Sequence, residues 1–279
     1  MDKKEIELMR EISAEEQKMY FDALAEIDYE FYVEYVNEGY KHGTHTKFVC
    51  DLLQKAEETR DGQQKKFIIT MPPQHSKSYT ITETFPSWYL GRNPRNGVIV
   101  VGYSSDFAEK FGRKNKEKLN EFGSDVFGIH LGEKQAHKEW ELETGGGMIS
   151  SGFGGQITGK RANLLLIDDP IKNRAEANSR NFRNQLWDEW ESTISTRLAE
   201  DAIVVIILTR WHEDDLAGRL LEREGHEWTL VKLPALAEEE DLLGRDKGEP
   251  LWPEQYSKEY LEKRRKNLSS KAWNSLYMG

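Results

Sequence analysis

Cysteine is nearly missing: Cys50 stands alone in 279 residues. One thiol excludes an internal disulfide framework and suits a reducing compartment. Long apolar runs are also missing. No stretch of the sequence approaches the ~18 consecutive apolar residues of a membrane-spanning helix, so no membrane role is expected. Nor is there an excess of positive charge: 39 Lys and Arg face 49 Asp and Glu, for a net charge of −10. A protein that coats nucleic acid with its whole surface does not have that balance, which leaves room only for a local basic face. The N-terminal Met-Asp-Lys-Lys-Glu is charged and helix-prone, unlike a secretion signal. Seven scattered histidines and one cysteine argue against a structural zinc site; His42 and His45 read as loop residues. What is present is 37% apolar and 32% charged residues, in a length that supports one large α/β domain with or without a small appendage.

The chain is organised around Lys66-Phe67-Ile68-Ile69-Thr70-Met71-Pro72-Pro73-Gln74-His75-Ser76-Lys77-Ser78. Residues 67–71 are a β-prone apolar run stopped by two prolines, which cannot continue a strand interior. A Lys-Ser pair then opens a helix-like stretch. Strand, tight loop, Lys-Ser, helix is the layout of a phosphate-binding loop, whose backbone N–H groups and helix N-terminus face phosphates. In that reading Pro73, Gln74, His75, Ser76 and Tyr79 surround ATP, Lys77 reaches the β- and γ-phosphates, and the Ser78 hydroxyl ligates Mg²⁺. The usual pattern is G-x-x-x-x-G-K-[ST], but Met71 and Ser76 stand where the glycines would be. If residue 76 needs φ > 0, serine costs about 1–2 kcal/mol there. The bland alternative is a surface turn with one lysine.

Leu164-Leu165-Leu166-Ile167-Asp168-Asp169-Pro170 is the second informative segment. Four large apolar residues read as a central strand, and two carboxylates come next at its C-terminal end, where open α/β sheets place their ligands. Burying a carboxylate there without a partner is costly. As a Walker B pattern, Asp168 holds Mg²⁺ directly or through water and Asp169 orients the attacking water; otherwise the strand simply runs into a polar turn. Residues 202–208 are the most apolar strand and end in Thr209-Arg210, which either senses the γ-phosphate or is an ordinary polar strand terminus. Residues 98–101 predict a further buried strand. Residues 140–143 and 148–150 predict a hairpin around Gly145-Gly146-Gly147. Helices are expected over residues 1–40, 45–58, 104–122, 176–198, 214–224 and 257–273, and over 77–90 with a kink at Pro86. Lys110, Arg113 and Lys114 form one basic flank, which Glu109 and Glu117 can neutralise within the helix. The glycine-dense residues 152–161 are turns, or a mobile loop carrying Lys160 and Arg161 toward a phosphate.

Taken together the segments resemble the ATPase half of tailed-bacteriophage large terminase subunits. The resemblance rests on Met71-Pro72-Pro73-x-x-x-Lys77-Ser78, Trp88-Tyr89-Leu90-Gly91-Arg92-x-Pro94, Tyr103-Ser104, Thr158-Gly159-x-Arg161, Leu166-Ile167-Asp168-Asp169-Pro170-Ile171-Lys172 and Thr209-Arg210-Trp211-His212-Glu213-Asp214-Asp215-Leu216. It implies an α/β P-loop NTPase of the additional-strand type: a mostly parallel sheet with helices on both faces in residues 1–234, and a small lid in residues 235–279. It implies an arginine finger, Arg161 first with Lys160 and Arg210 as alternatives, acting on its own or a neighbouring subunit's ATP. It implies that Thr209-Arg210 couples the ATP state to DNA movement. The implied partners are double-stranded viral DNA, the portal protein, the small terminase subunit and further copies of the chain in a ring. The implied location is the host cytoplasm, docked on the procapsid. Such chains normally continue into a nuclease domain, so residues 1–279 are expected to be the motor part without nuclease activity. Asp169 departs from the glutamate common at its position, and a group misplaced by about 1 Å can cost roughly 100-fold in rate. There are two rivals: a superfamily 2 helicase, which needs a second RecA-like domain that the residues after Pro234 are too few to supply, and a nucleotide-binding assembly module with little turnover.

Overall fold

The computed structural model describes residues 12–59, 61–155, 157 and 159–279; the expectation for residues 1–11 and the match at Thr158 lie outside them. Three helices come first: α1 (Ala14–Ile27), α2 (Tyr29–Tyr35) and α3 (Thr44–Glu58). The single helix expected up to residue 40 is broken at Asp28, which is extended (φ −121°) and caps α2 by accepting from the Phe31 N–H. The Tyr29 N–H is claimed by Gln54 of α3 (2.8 Å), so a tertiary partner replaces the intrahelical one. His45 is not a loop residue: it sits inside α3, fully buried.

The sheet then begins with β1 (Lys65–Thr70), the strand anticipated before the prolines. Next come α4 (Lys77–Ile81), α5 (Phe85–Arg92), β2 (Gly97–Gly102) and the long α6 (Ser105–Phe127). Pro86 does not kink one helix; it lies in the first turn of a second, where its missing N–H costs nothing. A three-strand meander comes after α6: β3 (Leu131–Gln135), β4 (Glu139–Leu142) and β5 (Gly147–Gly152), in which β4 and β5 form the expected antiparallel hairpin. Then come β6 (Ala162–Asp168), α7 (Arg174–Asn178), α8 (Arg180–Glu189), β7 (Leu198–Leu208), α9 (Leu216–Glu224) and β8 (Trp228–Lys232). Helix α8 does not run on regularly to residue 198; its last turns widen and then tighten over residues 190–197.

The eight strands lie in the order β3-β4-β5-β2-β6-β7-β1-β8, and β5, β2, β6, β7, β1 and β8 pair in parallel. Strand β7 is inserted between β1 and β6, so the phosphate-loop strand and the acidic strand are not neighbours. The central strands read as continuous apolar runs because both faces are covered. Alternate residues go to opposite layers: Val98, Val100, Leu164, Leu166, Val205 and Ile207 join the layer under α1–α3, α5 and α6, while Ile99, Val101, Leu165, Ile167, Val204 and Ile206 join the layer under α8 and α9. Each such side chain contributes about 2 kcal/mol by burial.

Beyond β8 the chain runs through irregular residues 233–257 to α10 (Lys258–Asn267) and α11 (Ser270–Trp273). Leu236, Leu261, Trp273 and Tyr277 make a small separate cluster. Leu251 packs into the first layer of the main core, which ties this segment down beside the loop after β1. Among the described residues no helix is long and apolar enough to cross a membrane.

Candidate functional site

Three adjacent strands deliver the site. β1, β7 and β6 end at Thr70, Leu208 and Asp168, so the residues after all three strands emerge at the same end of the sheet. After β1, residues 71–76 form a tight loop that turns into α4. Gln74 and Ser76 both take positive φ (61° and 64°). The left-handed conformation anticipated for residue 76 is therefore present without a glycine, at about 1–2 kcal/mol for each such residue.

That turn aims Lys77 across the strand tips. Its amine lies 3.1 Å from Asp169 Oδ2 and donates to the Thr209 hydroxyl at 3.1 Å. One residue on, the Ser78 hydroxyl donates to Asp168 Oδ1 (3.1 Å). Asp168 is wholly buried, on the side of β6 that faces α4. Its other oxygen accepts from the Thr82 hydroxyl at 2.5 Å. Asp169 has φ +42°, and its Oδ1 accepts from the Thr209 N–H (3.1 Å). Lys77, Ser78, Asp168, Asp169 and Thr209 thus converge.

Burial, and next to it the negative charge of Asp169, pushes the Asp168 carboxyl up from its ordinary 3.8 to about 7; Lys77, Thr82 and Ser78 pull the other way. Two carboxylates share one amine, so the site has an uncompensated negative charge. Its donors are hard oxygens: a carboxylate and a hydroxyl. That set fits Mg²⁺, which binds through one or two carboxylates, water and substrate phosphates rather than a protein cage. Among the described residues no group of three or more His, Cys, Asp or Glu is positioned to hold a metal.

The remaining expected residues are placed unevenly. Tyr79 is half-buried, stacked on Tyr40 (4.9 Å between rings, 23° between planes) beside the start of α4. Pro73, Gln74 and His75 line a cavity of about 190 Å³ with Tyr256, Tyr260 and Arg264. Arg210 comes directly after Thr209 on the same side of the sheet, but its guanidinium is bound to the buried Asp215 (2.8 Å). Arg161 is not brought to this site. It precedes β6, and its carbonyl lies against Gly97 at the start of β2, at the opposite end of the sheet. The seven residues of β6 put it roughly 23 Å from the acids. Lys160 is at that far end too, paired with Glu139 (2.7 Å). Neither cation can act as a finger on this chain's own site in this arrangement.

Sequence reasoning missed Thr82, which lies one helical turn beyond Ser78; the i+4 spacing was the available signal. It also missed His45, Trp252 and Tyr256, which gather around His75 and which no local pattern connects.

The family model described as terminase large subunit, T4likevirus-type, N-terminal, matches residues 68–273. No curated protein sequence matches the chain. The crystal structure of the HK97 bacteriophage large terminase is similar at a TM-score of 0.55 and 9% identity, over 96% of this chain and 55% of that one. The large terminase from a thermophilic bacteriophage, in complex with ADP, gives 0.46 and 9% over 81% of this chain and 51% of its own. The chain therefore spans about half the length of these solved terminases. The HK97 likeness shows the fold alone: a mixed α/β sheet with helices on both faces.

Proposed function

The chain belongs, over residues 68–273, to the family described as terminase large subunit, T4likevirus-type, N-terminal, and from that premise we propose that it is a Mg²⁺-dependent ATPase whose turnover drives double-stranded viral DNA into a procapsid. The observation that carries this reading is the meeting of Lys77, Ser78, Asp168, Asp169 and Thr209 at three neighbouring strand tips.

The triphosphate of ATP competes with Asp169 for the Lys77 amine. When Lys77 turns to the β- and γ-phosphates, Asp169 is left with the Thr209 N–H, which keeps its carboxylate aimed. Asp169 is partly exposed, at 29% of its side chain, so water reaches it. It orients that water for in-line attack on the γ-phosphorus. Ser78 and Asp168 hold Mg²⁺, which when bound neutralises charge on the phosphate oxygens. The Thr209 hydroxyl loses its Lys77 partner in the same event, and Arg210, the next residue, carries the change toward Asp215 and α9.

Because Arg161 lies at the far end of the sheet, its finger role belongs to a neighbouring copy's ATP. In this proposal the copies form a ring on the portal protein, with the small terminase subunit as a further partner and the procapsid in the host cytoplasm as the working place. Residues 235–279 act as the lid over the loop.

A second reading, a nucleotide-binding assembly module with little turnover, is favoured by one observation: Lys77 and Asp169 already satisfy each other. Phosphate release separates the two. The motor reading expects Lys77→Ala and Asp169→Asn each to lose roughly 100-fold or more, in the range of preorganised electrostatic groups. Equal background rates in wild type and both variants favour the module.

A further inference from the structure

The loop between β1 and α4 contains no glycine in residues 71–76, yet two of its residues are left-handed. Serine at position 76 makes no side-chain capping bond that could hold it there. The loop's shape therefore has to be imposed from outside. The supports lie around His75, whose side chain is 1% exposed. Its Nδ1 is 2.9 Å from the Pro73 carbonyl, and its own carbonyl accepts from His45 Nε2 on α3 (3.1 Å). Its ring is stacked on Tyr256, at 4.7 Å and 29°. The Tyr256 hydroxyl donates to the Gln74 carbonyl (3.3 Å), across 182 residues of sequence. Trp252 closes the other side, 5.2 Å from the His45 ring and 6.4 Å from that of His75.

We propose that Tyr256 is a positioning residue for the phosphate loop, stacking on His75 and bonding Gln74 so that Gln74 and Ser76 are held left-handed before any ligand arrives. This rests on the nucleotide reading of the Lys77 site. The segment carrying Tyr256 does the work that glycine does in loops of the usual pattern, where the left-handed conformation is free. With the support in place the loop is preset and the ligand bears no ordering cost. Without it, residues 74 and 76 relax to negative φ, and each binding event has to restore them.

The test is a four-way comparison. Wild type, Tyr256→Ala, Ser76→Gly and the double variant are titrated with a fluorescent ATP analogue in Mg²⁺, and phosphate release is followed to saturation. Tyr256→Ala is expected to weaken binding and raise KM about tenfold, the factor corresponding to the left-handed penalty at one residue, with kcat nearly unchanged. Tyr256→Phe, which keeps the stacking face, stays within about threefold of wild type. In the Ser76→Gly background, judged against Ser76→Gly itself, Tyr256→Ala is expected to cost clearly less affinity than in wild type, because glycine needs no outside support at that position. A lost buried contact alone would not be rescued by a change in the loop on the far side of the sequence. Thermal melts accompany each variant, and if Tyr256→Ala does not fold, Tyr256→Leu gives the same comparison. The inference is overturned if Tyr256→Ala, or Tyr256→Leu in its place, binds like wild type, or if the alanine change costs as much affinity in the Ser76→Gly background as in the wild-type one. A wild-type chain that takes up no Mg-ATP ends the nucleotide reading itself. Binding that is lost in Lys77→Ala but intact in Tyr256→Ala ends only the inference about Tyr256.

Discussion

Replacing Asp168 with Asn should stabilise the ligand-free protein while abolishing its Mg-nucleotide response. The wild-type carboxyl is fully buried, beside a second acid, and titrates near 7 rather than 3.8, first because of burial and then because of Asp169. A folded value above the unfolded one means that this residue's contribution is fully present below pH ~4 and is lost as pH rises through 7. At about 1.4 kcal/mol per pH decade the interval corresponds to at most about 4 kcal/mol. Asn has no such loss. It still accepts from Thr82 through its amide oxygen, but it turns an N–H₂ toward the Ser78 hydroxyl, and one impaired hydrogen bond costs about 1 kcal/mol. The net gain at pH 8 is about 1–3 kcal/mol, or roughly 4–8 °C in Tm for 2 kcal/mol in a chain of this size. At pH 4.5 the two proteins should melt close together. Mg-ATP at 1,000 times its Kd reverses the order at pH 8, since it adds about 4.1 kcal/mol to a protein that binds it. Melting curves at the two pH values, with and without Mg-ATP, decide the matter. An Asn variant that melts below wild type at pH 8 without ligand refutes the argument that Asp168 is an uncompensated buried charge.

Two further outcomes concern the same neighbourhood. Burial holds His45 and His75 well below their ordinary 6.5, each at about 4. Their folded values lie below the unfolded one, so stability is present above pH 6.5 and is lost as pH falls toward 4, by up to about 3 kcal/mol each. Asp168 has the opposite sign over nearly the same range, so urea midpoints of the Asp168→Asn variant should drop more steeply on acidification than those of wild type; parallel profiles would count against the raised Asp168 value, and an Asn variant whose midpoint does not fall between pH 6.5 and 4 would count against neutral buried imidazoles. Thr82→Val leaves one Asp168 oxygen without its donor and should raise the Mg²⁺ concentration needed for half-maximal phosphate release several-fold, in line with the 10–100-fold typical of lost outer-shell bonds, whereas Thr82→Ser stays near wild type; a valine variant with unchanged Mg²⁺ dependence removes Thr82 from the site.

Much of the frame can be read along the chain. Strands β1, β6 and β7 announce themselves as apolar runs stopped by Pro72-Pro73, by Asp168-Asp169-Pro170 and by Thr209, because a strand covered on both faces has no reason to alternate. The acids and the amine were legible for the same reason: each lies at or just beyond a strand end. The parts that were not legible depend on contacts between distant residues. The break at Asp28 needs Gln54, and the gap between α4 and α5 places Thr82 on Asp168. The left-handed loop needs Tyr256. Whether Arg161 serves its own chain's acids was not legible, because a strand carries sequence neighbours apart fastest, at about 3.3 Å per residue.

The placement of Arg161 and the acids at opposite ends of β6 gives the molecule a direction. Copies that join by bringing the arginine end of one against the acidic end of the next cannot be related by a two-fold axis, since each contributes a different surface. Such contacts are heterologous: they close into a ring when the rotation per copy divides a full circle and otherwise grow as an open helix. Polarity along a single strand thus becomes the handed order of an assembly, in which every junction faces the same way around.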